Sequence, residues 1–466
     1  MKKLVVFIAG LAVAQCAWAQ TISQKLATAT KQLTADPQMR HAIMSLCVVD
    51  AKTGKRVYAY NEQIGLAPAS TQKLFTSAAA LELLGSSFRY PTSINYTYQK
   101  RSDSLPGNGS FIIETSGDPT FGSDRYPGTQ PAVILEKIVN ALQQNGIKKL
   151  VEGTAYLTKS FSAVNIPGGW IFDDIGNYYG APAMAFNWRE NQYDIILRSG
   201  KAIGDPVTVV GTNPGEYKTG FIDSLKSAAK GSGDNAYVYF EPFTPTSILQ
   251  GTIPVNEDSF VISAALPNPQ RLFDQQLIAA VMRKGINVYQ HNSYAGSQGA
   301  LVTIPLLNHQ SPSLDSINYW FLRKSVNLYG EAFIKTMAWQ KTGLASTERG
   351  VEVLQDFWAA KGIDKAAINI SDGSGLSPLN RVTTDAEVKV LQYAKTQPWY
   401  ASFYNALPEY NGMKMKSGSI SGARAYAGYH KSKSGQEYIF SIIVNNYNGS
   451  SAEVVKKMYK VLDVLK

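Results

Sequence analysis

The apolar pattern of this 466-residue chain changes character twice, and that change constrains what it can fold into. Residues 21–34 read as a helix, and 42–50 and 56–61 as two strands joined by Asp50-Ala51-Lys52-Thr53-Gly54, a polar turn with glycine where positive φ is wanted. Between about 91 and 264 short β-rich runs such as Tyr193-Asp194-Ile195-Ile196-Leu197 alternate with Gly, Pro, Asn and Asp clusters, and 131–145 is the main helical pattern. After Pro267-Asn268-Pro269 helical patterns return at about 271–285, 314–339, 347–361 and 384–396. Two strands (412–430, 436–447) and an amphipathic helix (451–464) close the chain. The outer segments share an αβ style that the middle lacks. The expected organisation is therefore a discontinuous domain, 20–90 plus 265–466, with the β-rich segment 91–264 inserted into it.

The first residues address the compartment. Lys2 and Lys3 precede an apolar run from Leu4 to Ala14, and Ala17-Trp18-Ala19 is a small-x-small cleavage site. This reads as a secretory signal peptide over residues 1–19, removed after Ala19, and so as a secreted, periplasmic protein. Cys16 raises lipidation as an alternative, but Gln15 fits that signal poorly. The run is shorter than the ~20 residues a spanning helix needs, and no later stretch is long enough either. Cleavage leaves Cys47 as the single cysteine, in the apolar stretch Ile43–Val49, where a buried inert thiol is expected. The formal charge is +10, yet Lys and Arg are scattered, which gives no support for a nucleic-acid partner.

Much chemistry is missing from the sequence. Its four histidines, His41, His291, His309 and His430, make no close pair, and there is no His-Glu-x-x-His and no paired cysteine, so neither a metal nor a cofactor is expected. No Gly-x-Ser-x-Gly elbow, Walker loop or dinucleotide fingerprint occurs. Hydrolytic chemistry has to come from Ser, Lys, Asp or Glu.

Three motifs supply it. Ser70-Thr71-Gln72-Lys73 opens a helix that is apolar or small nearly all round and stops at Gly85, which predicts a central buried helix starting at Ser70. Positions i and i+3 share a helix face, so the Lys73 amine reaches the Ser70 hydroxyl. It can serve as base if burial or a nearby cation lowers its pKa from about 10.4. The competing reading makes Ser70 an N-cap and Lys73 a surface lysine; a second copy, Ser227-Ala228-Ala229-Lys230, reads as a solvated helix end. Ser325-Val326-Asn327 offers a hydroxyl to relay a proton and an amide to bind a peptide, ahead of a small turn at Leu328–Glu331. Ser93-Ile94-Asn95 and Ser316-Ile317-Asn318 match the same pattern with poorer context. Of five Lys-Ser/Thr-Gly triplets, those at 52–54, 218–220, 341–343 and 433–435 read as turns or links. Lys416-Ser417-Gly418 instead continues into a strand of small and aromatic residues, where an edge can bind substrate backbone, Gly418 permits its close approach and the Ser419 N–H can complete an oxyanion hole.

Taken in this order on one αβ framework, the three motifs resemble the class C low-molecular-mass penicillin-binding proteins, the D-alanyl-D-alanine carboxypeptidase/endopeptidase family. The 252-residue step from Lys73 to Ser325 suits a transpeptidase domain carrying large insertions, and Ser371-Asp372-Gly373-Ser374-Gly375-Leu376-Ser377, Asn380-Arg381-Val382-Thr383 and Gly117-Asp118-Pro119-Thr120 also resemble its signature. Two positions depart from it: Val326 stands where the family usually has a polar residue, and Ser417 where it usually has Thr. The resemblance implies an α/β (α+β) fold of the serine β-lactamase/penicillin-binding transpeptidase kind, an antiparallel sheet with helices on both faces. It implies Ser70 as nucleophile, Lys73 as base, Ser325 as proton relay, and Asn327, Lys416, Ser417 and Ser419 as substrate-binding residues. Peptidoglycan stem peptides and β-lactams are the implied partners. A β-lactamase and a wall-binding module without catalysis are the rival readings. Asp372 and Ser374 either line the site or form a structural turn. Oligomeric state is left open.

Overall fold

The computed structural model describes residues 20–100, 109–151, 153–158, 160–217, 219–241, 246–289 and 300–466. The proposed leader, residues 1–19, His291 and Lys218 of the 218–220 triplet lie outside the described residues.

A six-stranded antiparallel sheet organises the outer segments, in the order 409–410, 413–420, 423–431, 437–445, 43–50, 56–60. The N-terminal strand Ile43–Asp50 pairs along its length with Glu437–Asn445, so the two ends of the chain close one sheet. Every second residue of a strand turns to the opposite face, and here both faces are apolar. Met44, Leu46, Val48, Met415, Phe440, Ile442 and Val444 pack on the helices Ile22–Thr34 and Ser451–Leu462. Cys47, Val49, Ala425, Ala427, Ile439 and Ile443 face the larger core with the helices Lys73–Leu83, Leu314–Arg323, Asn327–Thr342, Thr347–Ala360 and Thr384–Lys395. The helix from Lys73 is buried over most of its length, as its apolar composition predicts. Cys47 is fully buried and its thiol is pushed up to about 12 by desolvation.

The middle of the chain has its own core. A four-stranded sheet (300–310, 91–100, 110–115, 154–157), two three-stranded sheets and the helices Pro131–Gln144 and Pro269–Arg283 converge on Ile94, Ile138, Trp188, Ile195, Leu249 and Phe273. Among the described residues none of its strands joins the six-stranded sheet. The expected boundary at 265 is corrected: Ala300–Gln310 pairs with Pro91–Lys100 over its whole length, and Leu272, Phe273 and Leu277 lie in the middle core. The chain leaves the outer framework at Tyr90 and rejoins it near Ser311, where the Tyr90 N–H donates to Ser311 Oγ at 2.8 Å and the Ser311 N–H to Tyr90 O at 3.0 Å.

Other local expectations shift. The segment 412–430 is a hairpin of two strands, turned at Ser421-Gly422. The segment 314–339 is two helices broken at Lys324–Val326, and the turn expected at Leu328–Glu331 is the first part of the second. Ser227 lies in a strand, Phe221–Ala228, not at a helix end. The strand ends at Ala228, before Lys230, and the Ser227 hydroxyl accepts the Gly200 N–H at 2.9 Å.

Candidate active site

Ser70 sits in a 3₁₀ turn, Ala69–Gln72, that runs directly into the buried helix. It makes no side-chain cap, which removes the N-cap reading. Ala69 before it is held at φ 48°, and Ser325 at φ 59°; left-handed backbone at residues other than glycine is strained and concentrates at functional sites.

Lys73 is fully buried, which removes the surface reading. Its Nζ donates to Asn327 Oδ1 at 2.6 Å, to Ser374 O at 2.6 Å and to Ser70 Oγ at 3.0 Å. Two of these partners can only accept, whereas the Ser70 hydroxyl can donate or accept. A neutral amine donating to Asn327 and Ser374 therefore turns its lone pair on the Ser70 proton. Burial lowers the Lys73 pKa to about 7, against the opposing pull of Asp372 and Glu331. Burial, not a neighbouring cation, is what lowers it. Lys416 is itself buried and well below its ordinary pKa, first by desolvation and then by the charge of Lys73.

The Gly-rich loop 371–377 is a structural hub that also reaches the site. Asp372 accepts from Gly375 N–H (2.8 Å), Gln72 Nε2 (3.0 Å) and Asn380 Nδ2 (2.9 Å) on one oxygen. Its other oxygen accepts from Ser377 N–H (2.7 Å) and Trp170 Nε1 (2.9 Å). This fixes the Ser374 carbonyl that orients Lys73. A Cβ on Gly375 would fall 2.0 Å from Ala69 O, so the loop packs against the turn that carries Ser70.

The strand Met413–Ile420 passes equally close. A Cβ on Gly418 would lie 2.2 Å from Pro68 O, so this glycine serves contact with the serine turn itself, where close approach of substrate was expected. Lys416 Nζ donates to Ser417 O at 2.8 Å. In an antiparallel pair, alternate residues bond the neighbouring strand. Met415 N–H points outward, to Pro408 O at 3.1 Å, so Ser417 and Ser419 point their N–H groups the same way, beyond the two-residue edge strand 409–410. That leaves an open strand edge beside Ser70.

These elements meet at a cavity of about 970 Å³ lined by Ser70, Ser325, Asn327 and Ser419. Lys73 and Lys416 lie beneath its surface; Ser325 faces the cavity without a hydrogen bond to Ser70 or Lys73 among the described residues. The apolar middle residue, Val326, packs at the margin of the larger core and also lines the cavity. Sequence reasoning missed the contribution of the middle segment: Arg125, Asp174, Tyr179, Tyr237 and Tyr239 wall the same cavity, Trp170 holds Asp372, and the Tyr179 carbonyl accepts from Asn327 Nδ2 at 2.8 Å. No spacing rule connects them to the three motifs. Among the described residues no cluster of His, Cys, Asp and Glu is suited to a metal ion.

Residues 26–409 and 410–466 match the D-Ala-D-Ala carboxypeptidase 3 (S13) family. The chain belongs to that family. A D-alanyl-D-alanine carboxypeptidase of an Actinomadura species is 25% identical over 455 residues, 90% of this chain and 81% of that protein. One from Haemophilus influenzae is 22% identical, over 84% of this chain and 83% of that protein. The crystal structure of penicillin binding protein 4 from Haemophilus influenzae shares the fold, with a TM-score of 0.75 at 20% identity over 94% of this chain and 98% of that one. A second structure of that protein holds a β-lactam. This S13 chain is thus a serine-type D-Ala-D-Ala carboxypeptidase of the penicillin-binding class.

Proposed function

We propose that the S13 chain works through an acyl-enzyme on Ser70, with the residues of the three motifs in the following roles. The observation that carries this reading is Lys73 Nζ, buried, oriented by Asn327 Oδ1 and the Ser374 carbonyl and 3.0 Å from Ser70 Oγ. Neutral Lys73 takes the Ser70 proton as Oγ attacks the carbonyl carbon of the penultimate D-alanine. The N–H groups of Ser70 and Ser419 stabilise the oxyanion. Ser325 passes a proton to the leaving amine and takes one from the Lys73 ammonium, so the C–N bond breaks, D-alanine departs and Lys73 is neutral again. Water gives a proton to Lys73 as it attacks the acyl carbon, and that proton goes to Ser70 Oγ as the ester bond breaks and the acyl group leaves. The substrate lies along the open edge at Ser417–Ser419 as an added strand. Its terminal carboxylate reaches Lys416 and the Ser417 hydroxyl. An anion beside Lys416 favours the charged ammonium that burial opposes.

Peptidoglycan stem peptides and β-lactams are the proposed ligands, in keeping with the β-lactam complex of the Haemophilus influenzae protein. Residues 1–19 direct export to the periplasm, and residues 91–310 form modules set on the catalytic framework. No helix among the described residues is long and apolar enough to cross a membrane. Release of D-alanine from an acyl-D-Ala-D-Ala peptide, with the acyl-enzyme trapped by acid quench and weighed, tests the mechanism. Ser70→Ala should abolish both signals. Release that persists in Ser70→Ala would refute it.

A further inference from the structure

Arg125 stands at the part of the cavity where the helix Leu314–Arg323 ends, its guanidinium 5.5 Å from the Trp320 ring. Its Nε donates to both oxygens of Glu190, at 2.9 and 3.0 Å. Glu190 is buried and also accepts from Ser123 Oγ at 2.6 Å and Tyr329 OH at 2.5 Å. It sits in a run of left-handed residues, Arg189, Glu190 and Asn191, at φ 56°, 55° and 51°, a conformation that L-residues rarely adopt in succession. The brace uses one guanidinium nitrogen. Neither terminal nitrogen has a hydrogen-bond partner among the described residues, and no carboxylate other than Glu190 lies within ion-pair distance. Lys324, exposed and also lining the cavity, adds a positive charge, and Asp173 and Asp174 line the same cavity. The Arg125 side chain is 32% exposed, so its guanidinium is open to the cavity that it lines. Its planar edge of parallel N–H donors matches a carboxylate.

We propose that Arg125, braced by Glu190, is a specificity-determining residue that binds a carboxylate on the substrate peptide away from the scissile bond. The proposal rests on the carboxypeptidase reading above and names a chemical feature of the substrate. It implies that the enzyme distinguishes a free carboxylate from the corresponding carboxamide upstream of D-Ala-D-Ala.

The test uses paired peptides ending in D-Ala-D-Ala that differ only in whether an upstream side-chain carboxylate is free or amidated. A charge-assisted hydrogen bond predicts roughly a 10- to 100-fold higher kcat/KM for the acid form in the unaltered protein. In Arg125→Gln that ratio should fall towards one, and in Arg125→Lys it should be partly kept. No preference in the unaltered protein, measured before any variant is made, overturns the proposal. So does a ratio unchanged in Arg125→Gln, which is what simple neutralisation of Glu190 predicts. Covalent penicillin labelling of the unaltered protein separates the two failures. Its loss counts against the acyl-enzyme mechanism, whereas labelling without acid preference counts against Arg125 alone.

Discussion

If Lys73 is the base, acylation follows its neutral fraction. Burial brings its pKa down to about 7, so the sign is fixed: protonation below that value removes the lone pair that Ser70 needs, and the rate rises with pH. With a simple titration the neutral fraction is about one tenth at pH 6 and about one hundredth at pH 5. Acylation by a fluorescent penicillin, followed by stopped flow between pH 5 and 9, should therefore climb roughly 100-fold and level off above pH 8. Lys73→Arg sharpens the test, because arginine keeps the charge but cannot lose its proton. Its acylation should fall by ~10²- to 10⁴-fold on the plateau above pH 8 and by less at pH 5, where Lys73 of the parent is itself mostly protonated, with the inflection near 7 gone. A profile flat from pH 5 to 9, or an Arg variant within tenfold of the parent, would refute the assignment and transfer the base role to Ser325 or a bound water.

Further outcomes follow from the packing. Gly418→Ala places a Cβ 2.2 Å from Pro68 O, so strand and serine turn must part; urea unfolding should show about 1–3 kcal/mol lost, with slower acylation. Trp170→Phe removes the indole N–H from Asp372 and should cost about 1.5–3 kcal/mol in the same assay, and it should slow acylation although Trp170 is not in any of the three motifs. Treatment with a chelator should leave D-alanine release unchanged; loss restored by added zinc would contradict the metal-free mechanism.

The sequence was legible where a local signal and the tertiary structure agree. Thr21 and Gln24 form a capping box at the start of the helix Ile22–Thr34, and polar turns bracket the strands Ile43–Asp50 and Arg56–Tyr60. It was misleading where local style was taken for domain membership. The helix Pro269–Arg283 looks like those of the outer segments, yet packs in the middle core. The strand Ala300–Gln310 was invisible because Pro305 argues against a strand; the structure admits it on a sheet edge, with the register slipping between Pro305 and Leu307. Ser227 was read as a helix end because it lies in a polar stretch that ends in Gly231-Ser232-Gly233, and only strand pairing with Ser247–Pro254 reveals otherwise. Within the site, the three motifs were readable because each carries its chemistry in a few consecutive residues. The close approach of Gly418 to Pro68, the five donors on Asp372 and the wall at Tyr179 are contacts between distant segments, which no local pattern encodes.

The central claim is that Ser70, out of the serines followed three residues later by lysine, is the one acylated. Mass mapping of the peptide that carries a bound penicillin tests it most directly. The account predicts one adduct, on Ser70, lost in Ser70→Ala and kept in Ser227→Ala. An adduct on Ser227, or labelling that survives Ser70→Ala, would contradict it.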